Sequence, residues 1–140
     1  MTGGCGSTGV AIRILIVDDI EAWHRIYAAV LRGLPDCQVV GYARDGEEAV
    51  RKSQELLPDV VLLDVGMGHK NQFEAAPQIA QVSPNSRILF LGLAAPAELN
   101  EIALAAGAHR YIWKRNVVLE LGSALQVIAE GKPFLNQINS

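Results

Sequence analysis

Four charged side chains stand where three apolar runs end. Asp18 and Asp19 follow Ile12-Arg13-Ile14-Leu15-Ile16-Val17, Asp64 closes Val60-Val61-Leu62-Leu63, and Lys114 follows Arg110-Tyr111-Ile112-Trp113. Each run reads as a β-strand, so each charged group sits at a strand's carboxyl end. If the strands are parallel, all four share one edge of a sheet, the edge at which open α/β sheets bind their ligands. Three carboxylates that close repel one another, and at least one would hold a proton unless a cation lay among them. A hard divalent ion such as Mg²⁺ is bound by one or two carboxylates together with water and phosphate oxygens. A lysine ammonium adds a mobile point charge suited to a phosphoryl oxygen. The set reads as a Mg²⁺ site with one carboxylate free to act as nucleophile, and a carboxylate that accepts a phosphoryl group becomes an aspartyl phosphate. Taken singly, the same residues have plainer readings: Asp18-Asp19 as a helix N-cap pair, Asp64 as a strand-end turn residue, Lys114 as a surface lysine.

The elements that must position these groups follow from the apolar pattern. Val60 to Leu63 is an unbroken apolar run with two β-branched residues, as expected of a strand buried on both faces. Trp23, Ile26, Tyr27, Val30, Leu31 and Leu34 recur at three and four and predict a first helix, closed by Gly33 and Pro35. Cys37 to Ala43 reads as a second strand. Asp45 is an N-cap with Glu47 and Glu48 in the first turn, and Ala49, Ser53, Leu56 and Leu57 continue a second helix to Pro58. Val65 to Gln72 reads as a loop. Phe73, Ala76, Ile79, Ala80 and Val82 suggest a third helix, whose start is left open by Pro77, tolerated only in a first turn or at a kink. Arg87 to Leu91 is a fourth strand ending at Gly92. Leu99, Ile102, Ala103 and Ala106 form an Ala-rich fourth helix, and Val118, Leu121, Leu125 and Ile128 a last one, closed by Gly131 and Pro133. Strand and helix alternate five times, which predicts an α/β fold: a parallel sheet with helices on both faces.

Composition narrows the class. The 140 residues suit one domain, and 50% hydrophobic with 19% charged residues argues against disorder. A net charge of −3 leaves no broad basic face for nucleic acid. No apolar run approaches the ~20 residues of a membrane span. Residues 1–9 are Gly-rich, lack the apolar stretch of a signal peptide, and are expected to be a flexible tail. Cys5 and Cys37 form neither a disulfide framework nor a metal-binding spacing, so a reducing cytoplasm is expected.

From about Ile12 to about Leu135 the chain resembles a receiver domain of a two-component response regulator. The resemblance rests on Ile16-Val17-Asp18-Asp19, Asp59-Val60-Val61-Leu62-Leu63-Asp64, Ala106-Gly107-Ala108 and Tyr111-Ile112-Trp113-Lys114 taken together. It implies a flavodoxin-like (βα)5 fold with sheet order 2-1-3-4-5, a receiver domain over 10–135, and the start of a linker or tail at 136–140. By the same resemblance Asp64 is the phosphoacceptor, Asp18, Asp19 and Asp64 hold Mg²⁺ with the backbone carbonyl of Gly66, Lys114 contacts the phosphoryl group, and Tyr111 is the switch aromatic. It implies a histidine kinase as partner, self-modification rather than turnover of a separate substrate, and homodimerisation through the fourth helix, fifth strand and last helix. Leu125 to Leu135 resembles the end of NarL/LuxR-type receivers, which implies a helix-turn-helix output domain beyond Ser140; the receiver itself is expected to bind neither nucleic acid nor membrane.

Several positions depart from that pattern. Gly92 stands where the family has Thr or Ser, whose hydroxyl meets the phosphoryl group and draws the switch aromatic inward. Glycine offers only its backbone N–H there, and a hydrogen bond to a charged group is worth roughly 1.5–3 kcal/mol. Gly68 replaces a proline, Gln72 a glycine, and Arg115 the proline that often follows the lysine. Gly92 therefore supports an alternative, a phosphorylation-independent module that dimerises or binds a protein. A phosphohydrolase would need an acid two residues after Asp64, where Gly66 stands. Tyr111 reads equally as a switch or as a half-buried strand aromatic. Trp23 and Trp113 read as packing residues, His69 and Lys70 as part of a solvated loop, and His24 and His109 have no partner at suitable spacing. Ala94 to Ala97 and the fourth helix read as a tightly packed segment or as a partner face.

Overall fold

The computed structural model describes residues 11–34, 36–65, 70–94, 105 and 109–129. Five strands, β1 (Ile12–Val17), β2 (Cys37–Ala43), β3 (Val60–Asp64), β4 (Arg87–Gly92) and β5 (Arg110–Trp113), form one parallel sheet in the order β2-β1-β3-β4-β5. All five match the predicted runs, and the inner strands β1, β3 and β4, covered on both faces, are the most continuously apolar. Every residue of β3, the central strand, is buried.

Side-chain alternation divides the core into two layers. Leu15, Val17, Val61, Leu63, Ile88, Phe90 and Tyr111 face one way, against α2 (Gly46–Leu56) and α3 (Lys70–Val82), with Ala49, Ala76 and Ile79 closing the gap. Ile14, Ile16, Val60, Leu62, Leu89, Leu91 and Ile112 face the other way, against α1 (Glu21–Arg32) and the last helix (Val117–Ala129), where Tyr27, Leu31, Leu121 and Leu125 meet them. No helix among the described residues is long and apolar enough to cross a membrane.

The register aligns the strand ends. Val17 pairs with Leu63, so one further step along both strands brings Asp18 level with Asp64. β1 and β3 are neighbours although β2 lies between them in sequence, which makes the gap between their ends the topological switch point where such sheets take ligands. Gly92 pairs with Trp113, so Lys114 emerges just beyond the end of β4.

The predicted N-cap of α2 is present: Asp45 Oδ1 accepts from the Glu48 N–H at 2.8 Å, and Glu48 Oε1 accepts from the Arg44 N–H at 2.9 Å. The helix stops at Leu56. Leu57, expected in the helical stripe, instead takes a left-handed conformation (φ 47°) and is exposed. The Arg13 guanidinium donates to the carbonyls of Leu56 and Leu57, satisfying the helix end that no glycine caps.

Three other expectations need correction. α3 starts at Lys70, so Lys70 to Gln72 are helical rather than loop, and Pro77 lies well inside the helix. Pro77 is on the exposed side of the helix. Ile26 is exposed rather than part of the buried stripe of α1. On the last helix the buried stripe runs through Val117 (3% exposed), Leu121, Ala124 and Leu125, while Val118 is 67% exposed. Leu121 and Leu125 are buried as expected, and Val117, directly after the 3₁₀ turn at Lys114–Asn116, takes the inward place expected of Val118. The predicted fourth helix, apart from helical Ala105, the loop 66–69, the tail 1–9 and the segment 130–140 lie outside the described residues.

Leu62→Ala, at the centre of the buried sheet, is expected to lower unfolding free energy by about 3 kcal/mol. Val118→Ser is expected to change it by less than about 0.5 kcal/mol, the phase of the last helix being the reason. Equilibrium urea denaturation measures both.

Candidate functional site

Asp18 is the first residue past β1 and is fully buried (0% exposed); its N–H still extends the ladder to the Ala43 carbonyl at 3.0 Å. Its Oδ1 accepts the Ile20 N–H at 3.0 Å. Its Oδ2 accepts the Tyr27 hydroxyl at 3.0 Å and the Lys114 ammonium at 2.9 Å. Asp64, the last residue of β3, is 2% exposed, and its Oδ1 lies 2.8 Å from the same Lys114 Nζ. Lys114, 3% exposed, opens the 3₁₀ turn after β5 and so reaches across the strand ends. Asp19 is exposed at the rim, and Asp18, Asp19 and Asp64 each offer one oxygen within 4.8 Å of the others.

Two buried carboxylates thus share one ammonium, with the exposed Asp19 close by. Desolvating each charge costs several kcal/mol, and only close pairing offsets it. The donor set is oxygen only, without His or Cys, which suits a hard cation such as Mg²⁺ rather than Zn²⁺. A cleft of about 530 Å³, lined by Asp19, Glu21, His24, Tyr42, Arg44, Glu48 and Lys52, opens beside the exposed carboxylate.

The first turns of α1 contribute groups that sequence reasoning missed. The Trp23 ring, expected only to pack, lies under the Lys114 ammonium at 4.5 Å from its centroid, a cation–π contact. Trp23 also stacks on Tyr27 with centroids 5.8 Å apart. Burial, and after it the charge of Asp18, pushes the Tyr27 phenol above its ordinary pKa, so it stays a donor. His24 Nε2 lies 2.6 Å from the Asp18 carbonyl oxygen; since that oxygen can only accept, this nitrogen carries the proton. His109 is a fastening between strands: its Nδ1 accepts the Ile88 N–H at 3.0 Å while its own N–H donates to the Ile88 carbonyl at 2.8 Å. Burial lowers the His109 pKa, with Arg87 adding to it, in keeping with that neutral ring. The only sequence signal for Tyr27 and Trp23 was their i, i+4 spacing on the buried face of α1, which an apolar stripe explains equally well.

On the far side of the site, Tyr111 is 3% exposed, buried rather than half-buried, and its hydroxyl donates to the Ala94 carbonyl. A Cβ placed on Gly92 would lie 2.7 Å from the Tyr111 hydroxyl and 3.1 Å from both Tyr111 Cε1 and Val65 Cγ2. The phenol therefore occupies the room a larger residue would need. Trp113 Nε1 donates to the Leu93 carbonyl at 3.1 Å, so two aromatics of β5 tie down the start of the Ala94 to Ala97 segment. The structure brings Asp18, Asp19, Asp64 and Lys114 together, and sets Gly92 against Tyr111 beside them. Gly66 lies outside the described residues.

Known proteins resemble this chain in sequence and fold. The family model described as response regulator receiver domain matches residues 14–126. Transcriptional regulatory protein LiaR of Bacillus subtilis (strain 168) is 35% identical over 124 residues, covering 89% of this chain and 59% of LiaR. A protein-glutamate methylesterase/protein-glutamine glutaminase of Thermotoga maritima is 37% identical over 108 residues, covering 76% of this chain and 31% of that protein. The crystal structure of a LuxR-family two-component response regulator from Aurantimonas sp. SI85-9A1 superposes with a TM-score of 0.79 at 30% identity, covering 89% of each chain. The chain spans under two thirds of these two curated relatives, whose names differ from one another in activity.

Gly92→Ala is expected to destabilise the domain by about 1–3 kcal/mol through overpacking against Tyr111. Most of that loss should vanish when the same change is made in a Tyr111→Leu background. A double-mutant cycle of urea unfolding reads the coupling.

Proposed function

This chain belongs to the response regulator receiver domain family, and on that premise we propose that Asp64 accepts a phosphoryl group in a Mg²⁺-dependent reaction, with a histidine kinase or a small phosphodonor as its source. The observation that carries the reading is the buried Lys114 ammonium held at 2.8 Å and 2.9 Å between Asp64 and Asp18 at the ends of parallel strands. In the proposed reaction an Asp64 carboxylate oxygen attacks phosphorus, an acyl P–O bond forms, and the bond from phosphorus to the donor's imidazole nitrogen or acyl oxygen breaks. Asp18, Asp19 and Asp64 would hold Mg²⁺, with the Gly66 carbonyl as the further ligand that the resemblance implies. When bound, the ion neutralises charge building on the phosphoryl oxygens. Lys114 turns from Asp64 to a phosphoryl oxygen, exchanging one charge-assisted contact for another. The bond formed stays on the protein, which makes this a signalling step rather than turnover.

In a longer protein the modified domain would control an attached segment, which LiaR's name, a transcriptional regulatory protein, suggests is a DNA-binding one. Homodimerisation through the fourth helix, β5 and the last helix would carry the signal; exposed Val118 and Leu119 add apolar area to that face. One observation favours a second reading, in which the surface is set without phosphorylation. Tyr111 already fills the space beside Gly92 and is tied to Ala94, so packing rather than a strand-end hydroxyl determines its position.

Incubation with acetyl phosphate and Mg²⁺, followed by intact-mass measurement, is expected to show a single phosphoryl adduct. The adduct should be absent from Asp64→Asn and from wild type treated with a chelator. Wild type without an adduct would overturn the first reading; an adduct that changes neither oligomeric state nor the Tyr111 environment would favour the second.

A further inference from the structure

The buried carboxylate of Asp18 has three bonds accounted for: Ile20 N–H to Oδ1, and the Tyr27 hydroxyl and Lys114 ammonium to Oδ2. An ionised carboxylate offers about four lone-pair sites. Oδ2 is therefore filled, and the remaining capacity is on Oδ1. Lys114 is not a dedicated partner, because the same nitrogen bonds Asp64 at 2.8 Å. A phosphoryl group on Asp64 would draw that ammonium toward itself, and Oδ2 would then be buried without its cation, a state that needs another donor.

Tyr27 is in place to be that donor. It sits on α1, fully buried, stacked on Trp23 and packed in the same core layer as Leu31 one turn further on. Its hydroxyl reaches Asp18 from a rigid helix and owes its position to that packing rather than to Lys114. Trp23 faces the ammonium at 4.5 Å and stacks on Tyr27, so one ring borders both partners of Oδ2.

We infer that Tyr27 is a positioning residue of the acceptor site, holding Oδ2 of Asp18 while Lys114 changes partners and so keeping Oδ1 as the oxygen that meets the cation. The inference rests on the reading of Asp64 as phosphoacceptor. Hydrogen bonds to ligating carboxylates fix their orientation, and their loss weakens metal sites by 10–100-fold. Here the low end is expected, because Ile20 still holds Oδ1.

The test is the affinity of the chain for beryllium trifluoride, an unreactive phosphoryl mimic, with Mg²⁺ present, measured by titration calorimetry on wild type and Tyr27→Phe. The phenylalanine keeps the ring and its stacking and removes only the hydroxyl. The variant is expected to bind about tenfold more weakly. Equal affinity within about twofold, whatever happens to the unfolding midpoint, would assign Tyr27 a merely structural role and overturn the inference. Wild type that fails to bind the mimic would overturn it together with the proposed function, an outcome distinct from the first. A crystal structure of the wild-type complex gives a check independent of the variant. Tyr27 on Asp18 with Lys114 on fluoride supports the inference, and a Tyr27 hydroxyl withdrawn from Asp18 overturns it.

Discussion

A single buried ammonium sets the terms for this molecule. Lys114 lies between Asp18 and Asp64, within 2.9 Å of both, in a place almost closed to water. Charges so buried are tolerable only where close pairing and hydrogen bonds to the remaining lone pairs offset their desolvation. The sheet order supplies the contact. β1 and β3 must be neighbours for the two carboxylates to stand level, and the chain must turn sharply after β5 for the lysine to reach them. The 3₁₀ turn at Lys114–Asn116 directly follows β5 and leads straight into the last helix.

Aromatic residues border this charge cluster on two sides, and the sides differ in chemistry. On α1, Trp23 and Tyr27 engage the charged groups directly, one through its ring face and one through its hydroxyl. On β5, Tyr111 and Trp113 instead bond the backbone of Leu93 and Ala94, at the end of β4. Gly92 makes the second arrangement sterically feasible, since a Cβ there would collide with the Tyr111 hydroxyl. The buried acids and Lys114 are therefore in mutual contact, while the neighbouring strand end is filled by the Tyr111 ring.

The fold could be read from the chain because its strongest constraint is local in sequence. Strands buried on both faces appear as unbroken apolar runs, and Asp45 announces the start of α2 by its type and place. The four charged site residues were readable for a related reason: each stands at the end of such a run. What escaped depends on contacts between distant parts of the chain. Tyr27 fits an apolar stripe whether or not its hydroxyl meets Asp18, and Trp23 gives no sign of a lysine 91 positions later. Pro77 inside α3 was unreadable because its tolerance depends on which side faces water, and Leu57 because Arg13, far away in sequence, holds the carbonyls. Local pattern determines elements; the partners of a polar atom in a long-range site are settled only by assembly.

That last point bears on how the domain's stability is governed. The side chains at the strand ends come from positions 18, 64 and 114, and no partial structure containing two of the strands would hold all of them. Any species that engages the whole cluster binds the assembled sheet and not the unfolded chain, so it stabilises the entire domain by mass action. Occupancy of the site and the fraction of molecules folded are then linked thermodynamically, and the concentration of the site's ligand sets how much of the chain survives conditions that unfold it.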